Sequence, residues 1–359
     1  MEENTIKIIG KSNTGKTKNI LFNEIKKEIN KENNLIILDS KEEYYNNFGK
    51  ELIDKDYEIK VINFKEPKKS NGWDPLEYIK YNYDETVDKA AELSKLLGEI
   101  IFRNTDENAD LFWENSAASY TCGAILALIR ISRETNDDKI CNFGSLCSII
   151  NSADKKINNN TYMMEYCNNI NIMDPDYIAL STTVFAPTDT RGGIVAVTKE
   201  NLNPYFMRPT LLSSFYNNEF KINEIEKNNK KQAIFIIGYN PLEKLTALLI
   251  EYLYDAIIKF NKKYTFILDN FDCIEYLPSM EKIIDSANNE KLKLYIVTKN
   301  DERLKEKYPK YTFDSIEKNI VLEEKININI KEELLEYPTL KNDIPIYINF
   351  EEYVKKINN

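Results

Sequence analysis

Thr5-Ile6-Lys7-Ile8-Ile9-Gly10-Lys11-Ser12-Asn13-Thr14-Gly15-Lys16-Thr17-Lys18-Asn19-Ile20-Leu21-Phe22-Asn23-Glu24-Ile25 is the stretch whose reading decides the fold. An apolar run ends at Ile9. Gly10 to Thr17 then matches G-x-x-x-x-G-K-[ST] at every fixed position, and the segment behind it has helical spacing. Strand, loop and helix in that order form a P-loop. Backbone N–H groups from Gly10, Asn13, Thr14 and Gly15 turn inward to phosphate oxygens, and the helix N-terminus adds the positive end of its dipole. Lys16 is expected to reach the β- and γ-phosphates, and the Thr17 hydroxyl to hold Mg²⁺. Glycine is scarce, 10 in 359 residues, so a correctly spaced pair at this junction is informative. The pattern predicts a nucleoside triphosphate site, read as ATP with Mg²⁺.

Outward from the loop, Asn34 to Asp39 reads as a second apolar strand ending in an acid, and Tyr57 to Phe64 as a third. Strands alternating with helices at this spacing predict an α/β fold with a mainly parallel sheet covered by helices. Ligands of such sheets bind at the carboxyl ends of the strands, where Gly10 and Asp39 both fall. Behind Trp73-Asp74-Pro75-Leu76 the character changes. Val87 to Phe102 and Phe112 to Ile131 carry helical spacing, so residues 76–182 are read as an all-helical insertion with Phe112 and Trp113 in its core or against the domain junction, the core being favoured for large aromatics. Strand signals return at Gly193 to Thr198, Gln232 to Ile237, Lys263 to Phe271 and Lys293 to Thr298. The division expected is therefore 1–75 with 183–322 for the nucleotide domain and 76–182 for the insertion. Residues 323–359 are expected to be an edge or docking tail.

A P-loop needs a second acid at a strand end for its magnesium shell, and Thr265-Phe266-Ile267-Leu268-Asp269 supplies it. Asp269 is thus expected as a metal-site residue beside Thr17. The next position, where many such ATPases carry a water-activating Glu, holds Asn270; an amide orients water but cannot take its proton. Asp272, Glu275 and Asp39 are the other carboxylates within reach of the same role. A ring-forming ATPase also needs a cation from its neighbour. Arg191, flanked by Gly192 and Gly193, is the first choice among six arginines and Arg208 the second.

Composition excludes several classes. There is no histidine, which removes histidine triads and most zinc sites. Asp and Glu number 58 against 48 Lys and Arg, a net charge of −10, which gives no support to a monomer that coats nucleic acid. Five cysteines without a CxxC pair read as free thiols of a reducing compartment. No signal peptide or apolar run of membrane-spanning length is visible, so the chain is expected to be cytoplasmic.

In this order the segments resemble the type IV coupling proteins, the conjugative DNA-transfer ATPases of type IV secretion systems. The resemblance rests first on the P-loop and on Asp39-Ser40-Lys41-Glu42-Glu43-Tyr44, similar to the family's Asp-x-Lys-Gly-Glu-x-Tyr. Trp73-Asp74-Pro75-Leu76 stands near its Asn-Pro-Leu, and Phe112-Trp113 with Ala117 and Ala118 near its Phe-Trp segment. Ile267 to Phe271, Ile296 to Lys299 and Leu304 to Tyr308 follow in the family's sequence. The resemblance implies a RecA-like nucleotide domain, a helical insertion and Lys41 near the nucleotide. It also implies a homo-oligomer, hexameric in the family, that works with single-stranded DNA or a relaxase–DNA substrate and with type IV secretion components. Three departures stand out: Asn270 for Glu, Lys299 for Gln, and no transmembrane N-terminus. The last leaves attachment to the inner face of the membrane to partners or to an anchor outside this sequence. Two functions are open: a DNA-handling ATPase whose hydrolysis is weakened at Asn270, and a nucleotide-binding switch that recruits or assembles without efficient turnover.

Overall fold

The computed structural model of the chain describes residues 3–11, 16–104, 110–309, 312–322 and 335–358, and these divide into two compact units. The first comprises residues 1–71 and 220–340. Its centre is a seven-stranded sheet built from β1 (Thr5–Gly10), β2 (Asn34–Leu38), β3 (Glu58–Asn63), β6 (Gln232–Ile237), β7 (Tyr264–Leu268), β8 (Lys293–Thr298) and β9 (Lys318–Leu322). The order is β3-β6-β2-β7-β8-β1-β9, and every pairing is parallel. The central strands are buried on both faces: β6 and β7 are buried throughout. That is why they read as unbroken apolar runs and not as alternating ones. On one face Ile25 and Ile29 of the helix Phe22–Asn30 and Tyr44, Phe48 and Leu52 of the helix Glu43–Asp54 pack over Ile8, Leu35, Ile37 and Phe235. The apolar helix Glu243–Lys259 is almost wholly buried.

Two consequences of this order set the site. β8 lies between β1 and β7, so the strand that ends at the P-loop and the strand that ends at Asp269 are one strand apart. β2 lies on the far side of β7, in register Leu38↔Leu268, which places Asp39 beside Asp269 at the carboxyl edge.

The second unit comprises residues 72–219 and 341–359. It is helical, with helices Glu77–Glu85, Val87–Ile101, Phe112–Glu134, Phe143–Ser152, Tyr162–Asn168, Pro175–Val184, Thr188–Phe206, Pro209–Asn217 and Phe350–Ile357. Among the described residues its one sheet element is the two-residue pair β4 (Lys156–Ile157) and β5 (Asn160–Thr161). The Asp176 carboxylate takes both Arg130 Nε and Nη2 at 2.8 Å and the Tyr166 hydroxyl at 2.6 Å, which neutralises a buried charge in the helix bundle.

Three sequence expectations are corrected here. Gly193 to Thr198 is not a strand but the middle of the helix Thr188–Phe206, so the helical unit runs on past residue 182 to 219. Its buried positions, Ile194, Val195, Thr198, Leu202 and Tyr205, follow helical spacing, and packing overrides the β-branched composition of the run. Phe112 and Trp113 are exposed by 49% and 37% and do not lie in the core. They occupy the first turn of a helix whose buried face starts at Ala117. The tail, finally, belongs to two places. Residues 335–340 lie on the sheet unit, where the Tyr45 hydroxyl donates to the Glu336 carbonyl at 2.9 Å, whereas residues 341–358 lie on the helical unit. There Ser148 Oγ donates to the Ile348 carbonyl at 2.7 Å and Asn142 Nδ2 to that of Ile346 at 2.9 Å.

Candidate functional site

The chain leaves β1 at Gly10, and after Lys11 the described residues resume at Lys16 in a π-helical turn, Lys16–Leu21, that leads into the helix Phe22–Asn30. Asn13, Thr14 and Gly15 lie outside the described residues. Lys16 is buried, and its ammonium donates to the carbonyl of Gly10 and, at 3.4 Å, to that of Lys11. Burial lowers its pKa, the charges of Lys299 and Lys41 add to that, and Asp269 and Asp272 oppose it. The five charges therefore share one neighbourhood. Lys41, exposed at the turn after β2, is felt by both Lys16 and Asp269.

Asp269 follows directly on β7 and is buried. Among the described residues no ion pair neutralises it. Its Oδ2 accepts the Tyr44 hydroxyl at 2.8 Å and its Oδ1 the Asn270 N–H at 2.8 Å. Burial raises its pKa against those two hydrogen bonds and the charges of Lys41 and Lys16. A buried carboxylate held by neutral donors, with cations near but not in contact, is poised to take a cation as ligand. Thr17 stands within reach of the same group, because its hydroxyl interacts with that of Tyr44.

Asn270 adopts φ 54°, ψ 40°, the left-handed region that asparagine tolerates better than most residues. It opens the short turn Phe271–Cys273, in which Asp272 is buried and accepts the Lys299 N–H at 3.2 Å. That bond ties the end of β8 to the turn after β7, and it puts Lys299 beside the site.

Asp39 is the most enclosed acid of the group, 1% exposed. Its Oδ2 accepts the N–H groups of Tyr44 and Tyr45 at 3.1 and 2.8 Å, in the first turn of the helix Glu43–Asp54. Burial pushes its pKa up to about 7, against those two bonds, and Asp269 pushes it further in the same direction. Glu42, at the position where the resembling pattern has glycine, has φ 63°, the conformation that explains glycine there.

Arg191 is placed otherwise than expected. It lies in the helix Thr188–Phe206, not in a Gly-flanked loop before a strand. It is buried in the helical unit, pairs with Asp154 at 3.2 Å and donates to the carbonyls of Val184 and Ala186. Sequence reasoning quoted Tyr44 in the segment Asp39 to Tyr44 but gave it no role in the site; it is the residue that links Thr17, Asp39 and Asp269. The segment does not say where the tyrosine hydroxyl goes; only the helix Glu43–Asp54, which brings it back over the sheet edge, reveals its place.

Comparison with known proteins bears on the same architecture. No curated protein matches the sequence. Among solved structures the chain is similar to the bacterial conjugative coupling protein TrwBdeltaN70 in complex with sulphate, with 14% identity over 89% of this chain and 70% of that one, at a TM-score of 0.64. It is similar to TrwB in complex with the ATP analogue ADPNP, with 12% identity over 87% and 68% and a TM-score of 0.59. For TrwB in complex with ADP and Mg²⁺ the identity is 12% over the same shares and the TM-score 0.58. At these identities the likeness speaks for the fold, a RecA-like P-loop domain with a helical companion. The family model for type IV secretory system conjugative DNA transfer matches residues 5–337, and the chain belongs to that family.

Proposed function

We propose that this chain is an ATP-binding coupling protein of a conjugative DNA-transfer system, which hydrolyses ATP slowly and uses it to move or recruit a single-stranded DNA–protein substrate. One observation carries the reading: Lys16, Thr17 and Asp269 share one neighbourhood at the carboxyl edge of a parallel sheet, with Thr17 and Asp269 joined through Tyr44. Mg²⁺ fits this donor set. Thr17 and Asp269 offer hard oxygens, and an ion that keeps waters and takes phosphate oxygens as ligands needs no all-protein cage. When bound, it neutralises charge between the β- and γ-phosphates. The chain's own residues do the rest. Lys16, freed from the Gly10 carbonyl, meets the phosphates; Tyr44 orients Asp269; Lys41 and Lys299 add positive charge at the rim.

Asn270 is the reason for slow turnover, since its amide orients water without accepting a proton. The same residue favours a second reading, a nucleotide-dependent switch that recruits or assembles without efficient hydrolysis. Arg191 is the proposed trans-acting cation only if its pair with Asp154 opens in the assembled homo-oligomer, a hexamer by family analogy. Phosphate release with and without single-stranded DNA, at protein concentrations where oligomers persist, separates the two. DNA-stimulated turnover supports the motor; tight Mg-ATP binding without turnover supports the switch. No described helix is long and apolar enough to cross a membrane.

A further inference from the structure

Two acids stand at the ends of neighbouring strands. β2 and β7 are paired from Asn34↔Tyr264 to Leu38↔Leu268, and the next residue on each is Asp39 and Asp269. One tyrosine joins them: Tyr44 gives its backbone N–H to Asp39 and its hydroxyl proton to Asp269. Asp39 Oδ2 is accounted for, because it accepts two N–H groups in the first turn of the helix Glu43–Asp54. Asp39 Oδ1 is not. It is buried and has no hydrogen-bond partner among the described residues. Buried acceptors are nearly always paired, and a helix needs only one acceptor at this position. A serine would cap it without burying a second oxygen. The neighbouring acid Asp272 is already engaged through Oδ1 by the Lys299 N–H. Asn270, the residue directly after Asp269, has no group that takes a proton.

We propose that Asp39 is the carboxylate that orients and deprotonates the attacking water in ATP hydrolysis, the task that Asn270 leaves undone. The proposal rests on the ATPase reading above. In the step, the water oxygen forms a bond to the γ-phosphorus. The bond from that phosphorus to the bridging oxygen of ADP breaks, and its electron pair stays on ADP. One water proton passes to Asp39 Oδ1 and is later released to solvent with ADP and inorganic phosphate. Nothing is oxidised or reduced. Tyr44 acts as a positioning residue, holding one acid by its backbone and the other by its hydroxyl.

The test uses the full chain with three readouts: phosphate release, affinity for a fluorescent ATP analogue, and affinity for Mn²⁺ in place of Mg²⁺. Asp39→Asn and Asp39→Ser both keep an acceptor for the Tyr44 and Tyr45 N–H groups, and both lack the base. Each is expected to lower kcat by about 100-fold or more, with analogue and Mn²⁺ affinities within about threefold of the natural chain. Asn270→Glu added to Asp39→Asn is expected to restore turnover, because it returns a carboxylate at the other position. The proposal is overturned if both variants turn over normally, or if Asp39→Ser is active while Asp39→Asn is not, which would leave Asp39 only a helix cap. It is equally overturned if lost activity merely tracks lost nucleotide or Mn²⁺ affinity, or if Asp272→Asn alone abolishes turnover. A natural chain that binds the analogue but never releases phosphate defeats the hydrolysis reading together with the proposal. Normal turnover in the Asp39 variants defeats the proposal alone.

Discussion

Lys16 is held for its charge, and its removal should cost binding and not folding. Among the described residues its ammonium donates to carbonyls of its own loop, at Gly10 and Lys11. Mg-ATP should raise the melting temperature of the natural chain by binding the folded state alone, and Lys16→Ala should remove most of that rise while the melting temperature without nucleotide stays close to the original. Asn270→Glu should raise turnover without tightening nucleotide affinity, because a base acts in the transition state, and the rise should reach about 10²-fold or more only where Asp39→Asn has removed the other carboxylate. The left-handed backbone at Asn270, φ 54°, should make the same change cost about 1 kcal/mol of stability, readable by denaturant titration. Asp74 makes the pH prediction. It is buried, its Oδ1 accepts the Leu76 N–H at 3.1 Å, and burial pushes its pKa up to about 7. Between its unfolded value near 4 and about 7 the folded chain keeps a proton that the unfolded chain has released. Stability from this group is therefore full below pH 4, falls as pH rises to about 7, and is flat above, with a slope of at most about 1.4 kcal/mol per pH unit. Asp39 adds a loss of the same sign. Asp74→Asn should leave stability near pH 4 almost unchanged and raise it at pH 8 by ~2–4 kcal/mol relative to the natural chain.

At the scale of elements, the helix Thr188–Phe206 shows how close packing selects one reading of an ambiguous run. A Cβ on Gly193 would stand 2.6 Å from Cζ3 of Trp113, whereas one on Gly192 would meet nothing within 4 Å. Gly193→Val should therefore destabilise the helical unit by about 1–3 kcal/mol through overpacking. Gly192→Ala should stabilise it by about 0.5–1 kcal/mol, since a helix-interior glycine is entropically costly and its space is open. Thermal and denaturant unfolding of the two variants check both signs; equal effects would mean that Trp113 is not seated where it lies here. The parallel strands were legible for the opposite reason. β2, β6 and β7 are buried on both faces, so their sequences are apolar runs, and those of β2 and β7 end at an aspartate. Gly193 to Thr198 offered the same composition over the same length, and local sequence cannot separate a buried strand from one turn and a half of buried helix.

For the whole molecule, the proposed action depends on assembly and substrate. If a neighbouring subunit completes the site, turnover per chain should rise with protein concentration until oligomers saturate, and single-stranded DNA should raise it further. Phosphate release measured across a dilution series, with oligomeric state followed by light scattering, tests this; turnover independent of concentration would confine catalysis to residues of one chain. The net charge of −10 implies that any DNA contact is local and basic, so DNA stimulation should weaken steeply as salt is raised.

The sequence by itself determined the parallel sheet and set Gly10 and Asp269 at the carboxyl ends of their strands. Both follow from short-range chemistry: an apolar run makes a two-sided strand, and a glycine or a carboxylate marks its end. It also carried the order of segments that the family membership bears out. Tertiary structure alone decided that residues 183–219 continue the helical unit, that Trp113 lies against a glycine of another helix and not in the core, and that Arg191 is buried beside Asp154. It alone brought Tyr44 back over the sheet edge to join Thr17, Asp39 and Asp269. These outcomes depend on which faces meet across long stretches of chain, and burial of that kind leaves no pattern in the residues on either side.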